Sequence, residues 1–342
     1  MAVRSRGATD PASRIRKLLL YQGNKIKRVF LDAVKHLEDS KTLTQIADLI
    51  EAGQFEEALG AVGHAASMIG DSYGVSLSES ARSTAVWLST SALTVSVSFN
   101  QVNTAAVEAM QTNRLRLIRE FSNEQRAATH QALLRGIQEG ANPIEQARAF
   151  RDSIGLTKAQ EAAIANYKRL LKNVGSDKAA TRNVLDRALR DGRFDRTVAR
   201  AAREGVALDA AQIDRMTARY REKMIKYRAE MIARTEALSS VNQGVDQMYQ
   251  QAYDSGALKP EEVKEKWVSA HDARVRSSHS HLNGQIHNVG EKWQGADGEL
   301  RYPGDPEAPA SERIHCRCIV TRRLEPSNDN SGPPSIFAES TG

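Results

Sequence analysis

DAAQIDRMTARYREKMIKYRAEMIARTEALSSVNQGVDQM, residues 209–248, decides the fold. Ile213, Tyr220, Met224, Tyr227, Met231, Leu238, Val241, Val245 and Met248 recur along it at steps of three, four or seven. That period puts them on one stripe of a helix of roughly 40 residues, about 60 Å long. Between Met231 and Leu238 the stripe passes through Arg234. A cation on an apolar stripe snorkels outwards or takes a carboxylate partner. Glu236 and Asp272 are the nearby acids, so the three residues form an expected structural pairing, beside the plainer reading of a surface arginine on a slightly rotated helix.

Upstream the pattern is also helical. No period of 20–50 residues repeats, which excludes a solenoid. Residues 15–70 read as helix broken near Gly53. Ala92 to Phe99 alternates between Leu93, Val95, Val97, Phe99 and Thr94, Ser96, Ser98, the pattern of a half-buried strand. Ser122 with Gln125 and Thr157 with Gln160 are capping-box pairs, and Asn142-Pro143 is an N-cap with a first-turn proline. Gly175-Ser176-Asp177 stops one helix and starts the next.

Downstream the character changes after Gly256 and Pro260. Lys266 to Ala270 reads as a strand, a polar stretch rich in His, Asn and Gly follows, and Tyr302 to Pro306 is a rigid loop. Cys316 to Arg323 reads as a second strand, with Cys316, Cys318 and Val320 on one face. The fold expected is mainly α, an extended helical N-terminal and central region with a small C-terminal α+β module. In chain order this means a basic N-terminal arm (1–28), a helical region (29–208), a long helix plus module (209–325) and a disordered tail rich in Ser, Asn, Gly and Pro (326–342).

Composition agrees with thin helical layers, since aromatics make up only 5% of the 342 residues. The apolar run at the N-terminus, Leu18-Leu19-Leu20-Tyr21, falls short of the roughly 7–15 residues of a secretory signal. No stretch approaches the roughly 18 apolar residues of a membrane span, and a soluble cytoplasmic product is expected. The net charge of +6 is unevenly spread. Arg4, Arg6, Arg14, Arg16, Lys17, Lys25, Lys27 and Arg28 face Asp10 alone in the first 28 residues, and residues 182–234 carry 14 basic against 8 acidic groups. From 235 onward 16 acidic groups exceed 11 basic ones. The N-terminal arm is therefore the candidate nucleic-acid contact, its alternative being a solvated tail.

Chemistry concentrates at the C-terminal end. Five of eight histidines (His271, His279, His281, His287 and His315) share the module with both cysteines. Two cysteines two apart make no disulfide framework, and on a strand their Cβ vectors run parallel. Cys316, Cys318 and His279, with Glu312 or Asp272 as an oxygen donor, could form part of a zinc-type shell. The competing reading is that the cysteines are small core residues and the histidines hydrogen-bond the turns. His279-Ser280-His281 with Asp272 could hold a hydrolytic metal, and His279, His281 and Asn283 suggest a nuclease loop, but neither completes a motif. Ser89-Thr90-Ser91 is similar to the Ser-Thr-Ser strand of ADP-ribosyltransferases, without the paired Glu-x-Glu downstream. Phosphate-binding loop, dinucleotide glycine fingerprint and serine nucleophile elbow are all missing.

The residues also resemble a known family in order. Arg228 to Glu236, Trp267-Val268, Asp272-Ala273-Arg274-Val275-Arg276, His279, Asn283-Gly284, Pro303-Gly304-Asp305-Pro306 and Glu312-Arg313-Ile314-His315-Cys316-Arg317-Cys318 are similar to the phage Mu F-like head morphogenesis domain, over roughly 228–323. Phe99 to Asn103, Ile154 to Thr157 and Asn166-Tyr167 resemble the helical region before that domain. The resemblance implies a structural minor head protein of a tailed bacteriophage, not an enzyme, present in few copies in the head interior or at the portal vertex and assembled in the bacterial cytoplasm. Portal protein, major capsid or scaffold protein and double-stranded DNA are the implied partners, with no membrane. The alternative is a metal-dependent hydrolase or effector delivered with the genome. Relatives that carry cysteines where this chain has Arg276 and His279 imply zinc as the cofactor, and the arginine is a departure from that pattern.

Overall fold

A computed structural model of the chain describes residues 10–60, 62–91, 96–100 and 103–325. Arg4, Arg6 and the expected tail at 326–342 lie outside the described residues. The fold is mainly α, with small antiparallel sheets near the C-terminus. The helices are α1 (Pro11–Asp39), α2 (Leu43–Glu51), α3 (Phe55–Ala58), α4 (Val62–Ser91), α5 (Thr104–Gln138), α6 (Pro143–Ser153), α7 (Lys158–Lys172), α8 (Lys178–Leu185), α9 (Asp195–Glu204), α10 (Ala210–Asp254), α11 (Ser277–Leu282) and α12 (Ala310–Arg313). The strands are β1 (Val263–Val268), β2 (Ile286–Asn288), β3 (Trp293–Gln294), β4 (Glu299–Leu300) and β5 (Ile319–Leu324).

The chain divides into two compact units that do not follow sequence order. Among the described residues, one takes those up to Leu19, those between Leu77 and Ala105 and those from Leu238 onward; the other takes those between Leu20 and Ser76 and between Ala106 and Ala237. The expected boundaries at 28 and 208 therefore do not coincide with the packing, and α1, α4 and α10 each contribute residues to both units.

In the all-helical unit the local signals work as chemistry demands. Thr42 with Gln45, Asn142 with Glu145 and Thr157 with Gln160 close reciprocal capping boxes at α2, α6 and α7. Ser122 does not cap. α5 runs straight through it, because Phe121, Ala128, Ala132 and Leu133 continue a buried stripe. Gln125 is instead used in the core, accepting from Gly155 N at 2.8 Å and donating to Ser153 O at 3.5 Å. Phe30 and Phe121 meet edge to face at 5.8 Å, and the Arg228 guanidinium lies over both rings while pairing with Glu124. Tyr167 stacks on Tyr220 at 4.3 Å.

The buried face of α10 in this unit differs from the expected stripe. Ile213, Tyr220 and Met224 of that stripe are buried as expected, but Tyr227 is 43% exposed, and beyond it the buried apolar positions are Ala229, Ala233 and Ala237. Small residues let α1 approach closely. A Cβ placed on Gly23 would lie 3.8 Å from both Ala233 O and Ala237 Cβ. This rotation leaves Arg234 exposed. The expected Arg234 pairing is overturned: Glu236 accepts from Arg116 at 3.1 Å, while Asp272 pairs with Arg317.

In the other unit every residue of α10 from Leu238 to Val245 is buried. α4 packs so tightly on it that a Cβ on Gly244 would sit 2.4 Å from Leu77 O. Ala81, Ala85 and Leu88 of α4 join Val245, Met248, Tyr249 and Ala252 in one core. Asn242 donates to Pro303 O at 2.7 Å, and Gly304 (φ 79°) rests on Leu238 and Ser239. Helix α4 reaches Ser91, so Ser89-Thr90-Ser91 is helical and the transferase likeness ends there. Of the expected strand, 92–95 lie outside the described residues and 96–99 form no ladder. Ser89 Oγ bonds Val97 through both its N–H and its carbonyl, Gln251 does the same for Asn100, and Val97 and Phe99 pack on the core.

β1 is central in a sheet of order β2-β1-β5, both pairings antiparallel. It starts three residues before the expected strand, and β5 starts after the cysteines. Glu265 faces Arg322 across the strands, and Trp267 faces Val320. Arg322 bonds Glu265 at 2.6 Å and Asp246 of α10 at 2.9 Å, with its guanidinium 4.9 Å from the Tyr249 ring centre. Sequence reading missed this buried network. Its one visible sign was a glutamate alternating with Val263 and Trp267 on an apolar face.

Candidate metal centre

The loop after β1 is built by local hydrogen bonds. Asp272 Oδ1 accepts from Arg274 N at 2.9 Å, and its carboxylate holds the Arg317 guanidinium. That pair keeps the Asp272 carboxyl down at about 2, chiefly through the hydrogen bond from Arg317. Arg276 donates to Ile314 O. Asn283 Oδ1 accepts from Ser269 N at 2.9 Å, and Gly284 takes φ 85° to send its N–H to Trp267 O. These contacts fix both ends of α11, whose inner face carries His279 and Leu282.

Glu312 arrives on α12, and the chain then turns through His315 at φ 61° into Cys316. His279 Nδ1 faces both sulfurs, 3.5 Å from Cys316 Sγ and 3.8 Å from Cys318 Sγ. The three ligand-type atoms lie within 4.8 Å of one another, and each residue is 2% exposed or less. Trp267 lies edge-on to His279 at 5.3 Å, and Trp293 packs against Trp267 at the same distance.

Glu312 is not beside the sulfurs. Its Oε2 meets His279 Nε2 at 2.8 Å, and its Oε1 accepts from Asp297 N at 2.8 Å. The expectation of Glu312 as a fourth ligand is therefore corrected, since both of its oxygens are engaged on the far edge of the ring. A carboxylate only accepts, which puts the imidazole proton on Nε2 and leaves a lone pair on Nδ1. Gly295 is needed here, because any Cβ would lie 2.7 Å from the Glu312 carboxyl carbon.

The neighbouring Cys318, with burial adding to its effect, pushes Cys316 well above the usual thiol range. Cys318 is drawn down to about 5, chiefly by its neighbour Cys316 and against the opposing effect of burial. The site thus turns two sulfurs and the Nδ1 edge of the imidazole towards one point.

Other expected site residues do not come here. His279 and His281 sit two apart on α11 and face different ways, and His281 is exposed. His287 stacks on Trp293 at 3.9 Å. The expected basic arm is, from Pro11 onward, part of α1. Arg14 donates to Ser83 and Thr84 and covers Trp87, and burial draws it down to about 10. Lys27 bonds Glu230 and Lys25 covers the Tyr21 ring, whereas Arg16, Lys17 and Arg28 are exposed.

Residues 179–321 match the model of the family described as Phage Mu protein F like protein. This is the family that the sequence motifs resemble; the match begins upstream of Arg228, taking in α9 and nearly all of α8, and leaves out the likenesses at Phe99 to Asn103, Ile154 to Thr157 and Asn166-Tyr167. Neither the curated proteins nor the solved structures give a match. Among the described residues no helix is long and apolar enough to cross a membrane.

Proposed function

We propose that this chain, Mu F-like over residues 179–321, is a structural minor head protein of a tailed bacteriophage. It acts in head morphogenesis, in the head interior or at the portal vertex, by binding portal, major capsid or scaffold protein through its helices. The family match carries the reading. It is supported by what the motif residues do: Asp272, Arg276, Asn283, Asp305 and Glu312 all hold loops together. A hydrolase built on His279, His281 and Asp272 has no such support, since Asp272 is taken by Arg317 and His279 is buried.

The test is assembly. Co-expression with portal, coat and scaffold should place the chain in purified procapsids at a copy number far below that of the coat. Procapsids formed in its presence but lacking it would overturn the reading. Packaged DNA is the second proposed partner, through Arg4, Arg6, Arg16, Lys17 and Arg28. Deleting residues 1–28 would cut into α1 and its buried Ile15 and Ile26, so the informative variants are removal of 1–9 and Arg16→Gln, Lys17→Gln, Arg28→Gln. Each lost phosphate contact should flatten the salt dependence of DNA affinity by about 0.9 in log–log slope. An unchanged slope would exclude these residues.

A further inference from the structure

We propose that His279, Cys316 and Cys318 bind a zinc-type divalent cation through Nδ1 and the two Sγ atoms, with Glu312 as the outer-shell partner of the histidine. The inference goes beyond assembly in the head and does not depend on it.

The distances carry it. With bonds of about 2.3 Å to sulfur and 2.0–2.1 Å to nitrogen, tetrahedral angles place a ligand nitrogen about 3.6 Å from each ligand sulfur. The observed separations are 3.5 and 3.8 Å. A hydrogen-bonded core would not need this arrangement. One Nδ1 makes one good hydrogen bond, yet two sulfurs converge on it. A cation satisfies both at once.

The second observation is independent of the sulfurs. Metal-bound histidines hold the remaining ring N–H on a carboxylate or carbonyl, which fixes the tautomer and raises ligand basicity. Here the Glu312 carboxylate occupies that position at 2.8 Å, is 1% exposed, and is itself oriented by Asp297 N. Gly295 provides the space for it. A buried carboxylate at this place has a clear purpose if its histidine carries a cation.

The site is structural. All three ligands are almost fully buried beneath Trp267 and Trp293, so no substrate-sized group reaches the cation. The ion ties α11 to the segment that leads into β5, two stretches more than 30 residues apart in sequence. Small modules gain folding free energy from such staples.

The experiment uses the full-length chain under reducing conditions. Elemental analysis should find one zinc per chain, absent from the Cys316→Ser, Cys318→Ser double variant. After chelation, cobalt(II) titration should give a thiolate-to-cobalt charge-transfer band and the visible bands of a tetrahedral site. Glu312→Gln should keep the band while weakening affinity by about 10–100-fold. Should the cysteine variant fail to fold, the wild-type chain and Glu312→Gln still decide the matter. A wild-type chain without stoichiometric zinc, whose cobalt titration gives no thiolate band, overturns the proposal. So does a melting temperature that neither zinc nor chelator moves.

Discussion

Glu312 meets His279 at Nε2, the ring edge turned away from Cys316 and Cys318, so the carboxylate orients the imidazole without competing for the point that Nδ1 and the sulfurs face. The rest of the C-terminal module can be read from this relationship, because Gly295, Asp297 and the α12 turn all exist around that carboxylate.

Gly295→Ala should disturb the site without touching a ligand. The new Cβ would lie 2.7–2.9 Å from all three carboxyl atoms of Glu312. Overpacking of this kind costs about 1–3 kcal/mol. Chemical denaturation should register the loss, and the His279 Nε2–H proton resonance should shift or broaden. An unchanged resonance would mean that Glu312 has room to spare.

Arg322 and Glu265 form a pair buried on both sides. Arg322→Met leaves the Glu265 carboxyl, only 3% exposed, without its cation, and should cost about 3–5 kcal/mol. Joining it to Glu265→Leu should restore most of that loss, because two apolar side chains carry no desolvation penalty. Equal and additive losses in the single and double variants would refute the coupling.

Gly244→Ala weighs two known effects against each other. Alanine improves helix propensity by about 1 kcal/mol over glycine. Its Cβ would also sit 2.4 Å from the Leu77 carbonyl oxygen, and backbone gives way poorly. Net destabilisation is expected on thermal melting. A more stable variant would show that α4 and α10 are not in such close contact.

Asp305 should make the module acid-sensitive. Burial would raise its carboxyl, but the side-chain and backbone hydrogen bonds from Arg301, with a further one from Glu307 N, outweigh burial and lower it. A depressed folded value stabilises above the unfolded pKa of about 3.9 and is lost as pH falls through the folded one. The melting-temperature gap between wild type and Asp305→Asn should therefore be constant near neutrality and close below about pH 4. A gap that persists at pH 2 would contradict this origin.

Much of the helical framework was legible because its causes are local. Asn142-Pro143 and Thr157 with Gln160 mark helix starts through hydrogen bonds that span three residues. The α10 helix announced itself by period alone. Ser122 with Gln125 misled for the opposite reason: the same residue types serve a core, and only the neighbouring Gly155 and Ser153 reveal which. Arg234 misled because close approach at Gly23 rotates the buried face onto alanines, which carry almost no hydropathy signal.

By itself, the sequence determined a mainly helical chain with a small C-terminal α+β module and the set His279, Cys316, Cys318 and Glu312 as its chemistry-bearing residues. These follow from periodicity, capping and residue type, all properties of short stretches. The tertiary structure alone decided that the units interleave along the chain, that Glu312 backs the histidine, and that Arg322 rather than Arg234 is the paired buried cation. Each of these depends on which distant residue fills the space beside a side chain, and packing, unlike period, leaves no regular mark along a sequence.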